Sequence, residues 1–248
     1  MKLGEFELPR YLLKFCEKRE YAEELLKGKL YMKESGYFRR LEDTYRGDVN
    51  DGVKPIDMTG KTVIIESIGS NKVKIPLDNI MNFRLGFEGD KKTPVFCASM
   101  MDDDILEKID NTSCKYRDEF LSELSKFGKY VVIISYDEFI MKIQAKIEEK
   151  NDLAALFSKV KYVDIMKEYD FPVCDDFEGI ESQYRQFFNK DKSYKWQNEF
   201  RLLLLGKHNN ELINSSNDSY VLDIGEFKYA LMTTVDILKG IIKVEGDL

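Results

Sequence analysis

Hydrophobic and polar positions along the chain shift between a strand-like and a helix-like period, and each shift predicts an element. Residues 11–15 predict a short strand. A helix is expected from 17 to 26, with Tyr21, Ala22, Leu25 and Leu26 on one apolar stripe. Gly28 is placed to stop it, and residues 29–32 predict the next strand. Further strands are expected at 61–66 and 72–75, as a hairpin through Gly69, Ser70 and Asn71, then at 82–87 and 94–100. Residues 116–127 carry Phe120, Leu121, Leu124 and Phe127 at helical spacing, ended by Gly128. A β-branched strand at 130–134 leads to Ser135, the expected N-cap of a helix with Phe139, Ile140, Ile143 and Ile147 facing inward. Strands at 160–165, 220–224 and 238–244 and a helix at 181–188 complete the pattern. Residues 169–180, 190–192 and 209–218 read as loops. Many short strands, few helices and no regular βαβ alternation predict an α+β fold. The expected architecture is a bent mixed or antiparallel sheet core flanked by helices, in one domain over 1–248.

One stretch, residues 195–205, combines a long apolar run with chemistry. Read as a strand, it places Gln197, Glu199 and Arg201 on one face and Trp196, Asn198, Phe200 and Leu202 on the other. A carboxylate on a central strand is expensive to bury unless it is paired or at work. Two readings therefore stay open: a Glu199–Arg201 or cross-strand ion pair on a half-solvated face, or a working carboxylate.

Composition narrows the rest. Of 248 residues, 43% are hydrophobic and 12% aromatic, enough for a sizeable core. A net charge of −7 argues against broad adhesion to nucleic acid or anionic membrane. Cys16, Cys97, Cys114 and Cys174 are scattered and His208 is the single histidine, so no zinc or iron–sulfur site is expected. Asp102, Asp103 and Asp104 read as a solvated turn or helix N-cap before a metal site, and no metal is expected. No apolar run reaches the roughly 20 residues a membrane helix needs, and no signal-peptide pattern opens the chain, so a cytoplasmic protein is expected. Nucleotide-binding glycine motifs of the Rossmann and P-loop kinds are absent.

Several short stretches, taken in order, carry a resemblance. They are Lys14-Phe15 before a helix, Gly28-Lys29-Leu30-Tyr31, and the 37–52 segment with Tyr37, Phe38, Arg39 and Arg40. Cys97-Ala98-Ser99 and Trp196-Gln197-Asn198-Glu199-Phe200-Arg201 follow. This layout is similar to an uncharacterised bacterial and phage family, and through it resembles the ADP-ribosyltransferase superfamily. The resemblance implies NAD as substrate and Glu199 as the transferase glutamate, with Gln197 two positions before it in a Gln-x-Glu motif. It implies Ser99 as the middle-strand serine and Lys14 at the first-strand position, where transferases usually carry Arg or His. Under it, Lys14, Arg39 and Arg40 would hold the pyrophosphate, Tyr37 or Phe38 would stack on a ring, and Arg201 would belong to the NAD site.

The activity so implied is glycosyl transfer from NAD to a protein or nucleic-acid acceptor, in a toxin or antiviral-defence setting. An antitoxin or a host protein would be a partner. The alternative is a non-catalytic phage or bacterial interaction protein on the same scaffold, because fold alone does not give function.

Overall fold

The computed structural model describes residues 2–3, 6–7, 10–41, 52, 54–56, 62–66, 72–76, 83–85, 92–164, 179–206 and 219–243. His208, Cys174, the hairpin turn 69–71, the 209–218 turn and all of residues 42–51 lie outside these residues. The fold is α+β, with mainly antiparallel sheets and a few helices. Among the described pairings only Lys161–Val163 with Asn189–Asp191 is parallel.

The centre is an eight-stranded sheet. Its strands are β1 (Tyr11–Cys16), β2 (Lys29–Glu34), β3 (Pro94–Met101), β4 (Tyr130–Ser135), β5 (Leu153–Lys159), β6 (Glu199–Gly206), β7 (Ser219–Asp223) and β8 (Ala230–Thr234). The order is β5-β6-β3-β1-β4-β8, with β2 and β7 branching from β3. The branch matters most for the site. On one edge of β3, Ser99–Met101 pair with β1, while Pro94 and Val95 pair with β2. Phe96, Cys97 and Ala98 face the fork between those two strands, and the sheet splits there.

Both faces of β6 are covered, which is why its sequence ends in four leucines. Phe200, Leu202 and Leu204 join one core with α1 (Arg19–Leu26) and α4 (Tyr136–Glu149). Leu203 and Leu205 pack on the other face with Tyr184, Phe187 and Phe188. Fully burying such a leucine contributes about 1.5–3 kcal/mol. A separate cluster with Leu13, Phe15, Leu124 and Trp196 includes α3 (Asp118–Leu124). Gly28 (φ +84) ends α1 against Gly225, whose carbonyl oxygen would lie 2.1 Å from an added Cβ. Only glycine fits that crossing.

Several expectations change. β5 and β8 were not expected, and the strand expected from 160 shrinks to Lys161–Val163. Tyr116 ends a strand, Ser113–Tyr116, instead of opening a helix. Residues 179–188 form a 3-10 helix. Tyr21 leaves the apolar stripe of α1 and is 56% exposed, while Ala22 and Leu25 carry the packing.

Candidate functional site

The stretch expected as one strand from 195 divides at Asn198. Residues Lys192–Gln197 form a 3-10 helix and the strand begins at Glu199. Asn198 sits at φ 42°, ψ 50°, the sole non-glycine with positive φ among the described residues. Asparagine tolerates this left-handed conformation better than most residues. Its side-chain NH2 donates to the Met100 carbonyl (2.6 Å) and to Asp102 Oδ1 (2.8 Å), and its own carbonyl accepts from Met100 N–H (2.8 Å). The turn brings Gln197 and Glu199 to one cavity although only Glu199 is in the strand. Trp196 does not join Phe200: it stacks on Phe127, 5.9 Å between centroids, in the cluster on the opposite face.

Glu199 lies opposite Ser99, and Arg201 opposite Cys97, across the β6–β3 ladder. The ion pair between Glu199 and Arg201 exists, but not on a half-solvated face: the residues are 5% and 1% exposed. Arg201 Nε donates to Glu199 Oε1 at 2.7 Å and its NH2 group to Oε2 at 3.3 Å, while NH1 donates to the Phe187 carbonyl at 2.7 Å. Lys190 completes the cluster, donating to Gln197 Oε1 (2.7 Å) and Glu199 Oε2 (3.2 Å). Sequence reasoning missed Lys190, placing it in a solvated loop, yet it is 4% exposed. Nothing in the local sequence marks it, since Asn189–Asp191 becomes a strand only by pairing with Lys161–Val163.

Burial alone pushes the Glu199 carboxyl up, but Arg201 and then Lys190 outweigh it and hold it well below the usual carboxylate range. At neutral pH these cations favour its ionised form. Burial, with the Glu199 charge adding to it, pushes the neighbouring Cys97 thiol up and keeps it protonated. Glu199 N–H donates to the Tyr162 hydroxyl at 2.9 Å, and the Ser99 hydroxyl donates to the Gln197 carbonyl at 2.7 Å.

Lys14 occupies the split of the sheet. Its Nζ donates to the Cys97 carbonyl at 2.6 Å, a group that faces the fork between β1 and β2. Lys14, Ser99, Gln197, Glu199, Arg201 and Tyr37 all line one cavity of about 750 Å³, together with Phe38 and Lys190. Five cations (Lys14, Lys29, Lys33, Lys190, Arg201) and three carboxylates (Glu17, Glu24, Glu199) line it, an excess of two positive charges in a chain of −7. That volume and sign suit an anionic ligand of nucleotide or dinucleotide size.

Arg39 and Arg40 are the exception among the expected site residues. Neither lines the cavity: Arg39 donates to the Gly52 carbonyl (2.9 Å) and Arg40 pairs with Glu34 (2.9 Å). Both follow Tyr37 and Phe38 on α2 (Ser35–Arg40), the two residues of that helix that line the cavity. Asp102 and Asp104 both pair with Lys159, at 2.6 and 2.7 Å. No group of three or more metal-ligating side chains occurs among the described residues, and no described helix is long and apolar enough to cross a membrane.

The arrangement defines a class: a split α+β sheet with an ionised, cation-clamped glutamate in an electropositive cavity. No family model, curated protein or solved structure matches the chain.

Proposed function

We propose that the chain is an ADP-ribosyltransferase-like enzyme that takes NAD as substrate in the split of its sheet. One observation carries this reading: Lys14, Ser99, Gln197 and Glu199, on separate strands or turns, line one electropositive cavity. The reaction breaks the bond between ribose C1′ and the nicotinamide nitrogen, and the electron pair leaves with nicotinamide. A nucleophile on a protein or nucleic-acid acceptor forms the new bond to C1′ and gives its proton to solvent. Positive charge develops on the ribose, as in glycoside hydrolysis, and an ionised Glu199 is the group suited to stabilise it. Lys14 lines the cavity without a carboxylate partner among the described residues and suits the anionic part of the substrate better than Arg39 and Arg40, which do not line it. A toxin or antiviral-defence setting, with an antitoxin or host protein as partner, belongs to the same proposal.

A second reading rests on a specific contact. Both Glu199 oxygens already accept hydrogen bonds from Arg201, and one also from Lys190, which suits a scaffold that binds without reacting. The test is to incubate the purified chain with millimolar NAD, following free nicotinamide and the melting temperature together. Release of nicotinamide supports the enzyme. A ligand at 100 times its Kd stabilises by about 2.7 kcal/mol, so a raised melt without nicotinamide supports the non-catalytic binding protein. Neither signal at millimolar NAD overturns the NAD reading.

A further inference from the structure

The mouth of the same cavity carries two residues that the proposed chemistry does not use, Tyr31 and Lys33, beside Tyr37. On β2, Leu30 and Met32 are buried while Tyr31 and Lys33, two positions apart, turn outward toward the cavity. Tyr37, in the first turn of α2, closes over Lys33 from the other side. Lys33 Nζ lies 4.6 Å from the Tyr37 ring centroid and 5.6 Å from that of Tyr31. Tyr31 is 54% exposed, so an aromatic face is open to a ligand.

The charge of Lys33 is what distinguishes this cluster. Lys29 pairs with Glu24, Lys190 and Arg201 pair with Glu199, and Lys14 is held by the Cys97 carbonyl in the fork. Among the described residues no carboxylate pairs with Lys33. The Tyr37 ring and the Tyr31 hydroxyl, which is hydrogen-bonded to Lys33, orient its ammonium but do not neutralise it. A cation beside exposed aromatic rings is the chemistry that holds a phosphate and stacks a base.

We propose that Tyr31, Lys33 and Tyr37 form an outer subsite for a nucleoside 5′-phosphate, with the phosphate on Lys33 and the base on a tyrosine ring. This rests on the nucleotide reading above, and places the adenylate half of the substrate at the mouth and the reacting ribose toward Glu199.

The test uses the full chain and calorimetric titration with AMP, adenosine and NAD. Lys33→Met should weaken AMP by about tenfold or more, the loss expected for one charge-assisted contact, and leave adenosine unchanged. Lys33→Arg should keep AMP binding near that of the wild type. Tyr31→Ala and Tyr37→Ala should weaken AMP and adenosine alike, because they remove stacking. Melting temperatures of the variants confirm that each remains folded. Equal AMP affinity in wild type and Lys33→Met overturns the subsite. So does wild-type binding of NAD without AMP, and in both cases the NAD reading survives. Binding of neither AMP nor NAD by the wild type overturns both.

Discussion

Glu199→Gln is the substitution whose outcome the structure specifies most closely. The carboxylate accepts through both oxygens: Oε1 from Arg201 Nε, and Oε2 from Arg201 and Lys190. Glutamine replaces one oxygen with an NH2 group, so in either orientation a donor faces donors. It also leaves two buried cations without their anion. On an exposed surface such a loss is worth about 0–1 kcal/mol, but removing one partner of a buried pair costs about 3–5 kcal/mol. At about 2–4 °C per kcal/mol for a chain of this size, the melt should fall by about 6–20 °C. The assay is a denaturant or thermal melt of Glu199→Gln, Lys190→Met and the double variant. Lys190→Met should be less harmful in the Glu199→Gln background than alone, with an interaction energy of about 0.5–3 kcal/mol. The pH dependence has a definite sign. The folded carboxyl lies below its ordinary value of 4.5, so its stabilisation is complete above that pH and is lost as pH falls toward the folded value. The gap between wild type and Glu199→Gln should therefore be widest above pH 4.5 and narrow below it. A Glu199→Gln melt within about 2 °C of wild type at pH 7 would refute the buried-cluster argument. Nicotinamide release by this variant has to be measured at a temperature where it is folded. Loss of a preorganised electrostatic contact then predicts a fall of about a hundredfold or more.

Two further outcomes follow from the same geometry. Asn198→Ala should destabilise about 1–2 kcal/mol more than Asn198→Gly, because glycine keeps the left-handed turn while both lose the bonds to Met100 and Asp102; equal melts would show that the turn carries no strain. Cys97 should resist a thiolate-seeking reagent at pH 8 in the folded chain, since burial and then the Glu199 charge keep it protonated. Rapid labelling of Cys97, read by peptide mass spectrometry, would contradict that environment.

Much of this protein is legible in its residues alone. Local pattern sufficed for β1, β4, α1 and α4: each helix buries one stripe, and the two strands are largely apolar runs buried on both faces. The leucine run of β6 marked a strand buried on at least one face, and the charges at 199 and 201 set into it marked candidate site residues. Tertiary structure decided the rest. No local pattern says that β1 and β2 fork from one edge of β3, yet that fork makes the cavity and puts Lys14 in it. Local sequence also could not tell Lys190 from a surface lysine, or Arg39 and Arg40 from site residues. The environment of a charge is set by what packs on it from distant segments: Glu199 and Gln197 for Lys190, Gly52 and Glu34 for the two arginines. β5 and β8 escaped notice for the same physical reason: strand propensity is weak in isolation, and an edge strand becomes one only when its neighbour in the sheet supplies the hydrogen bonds.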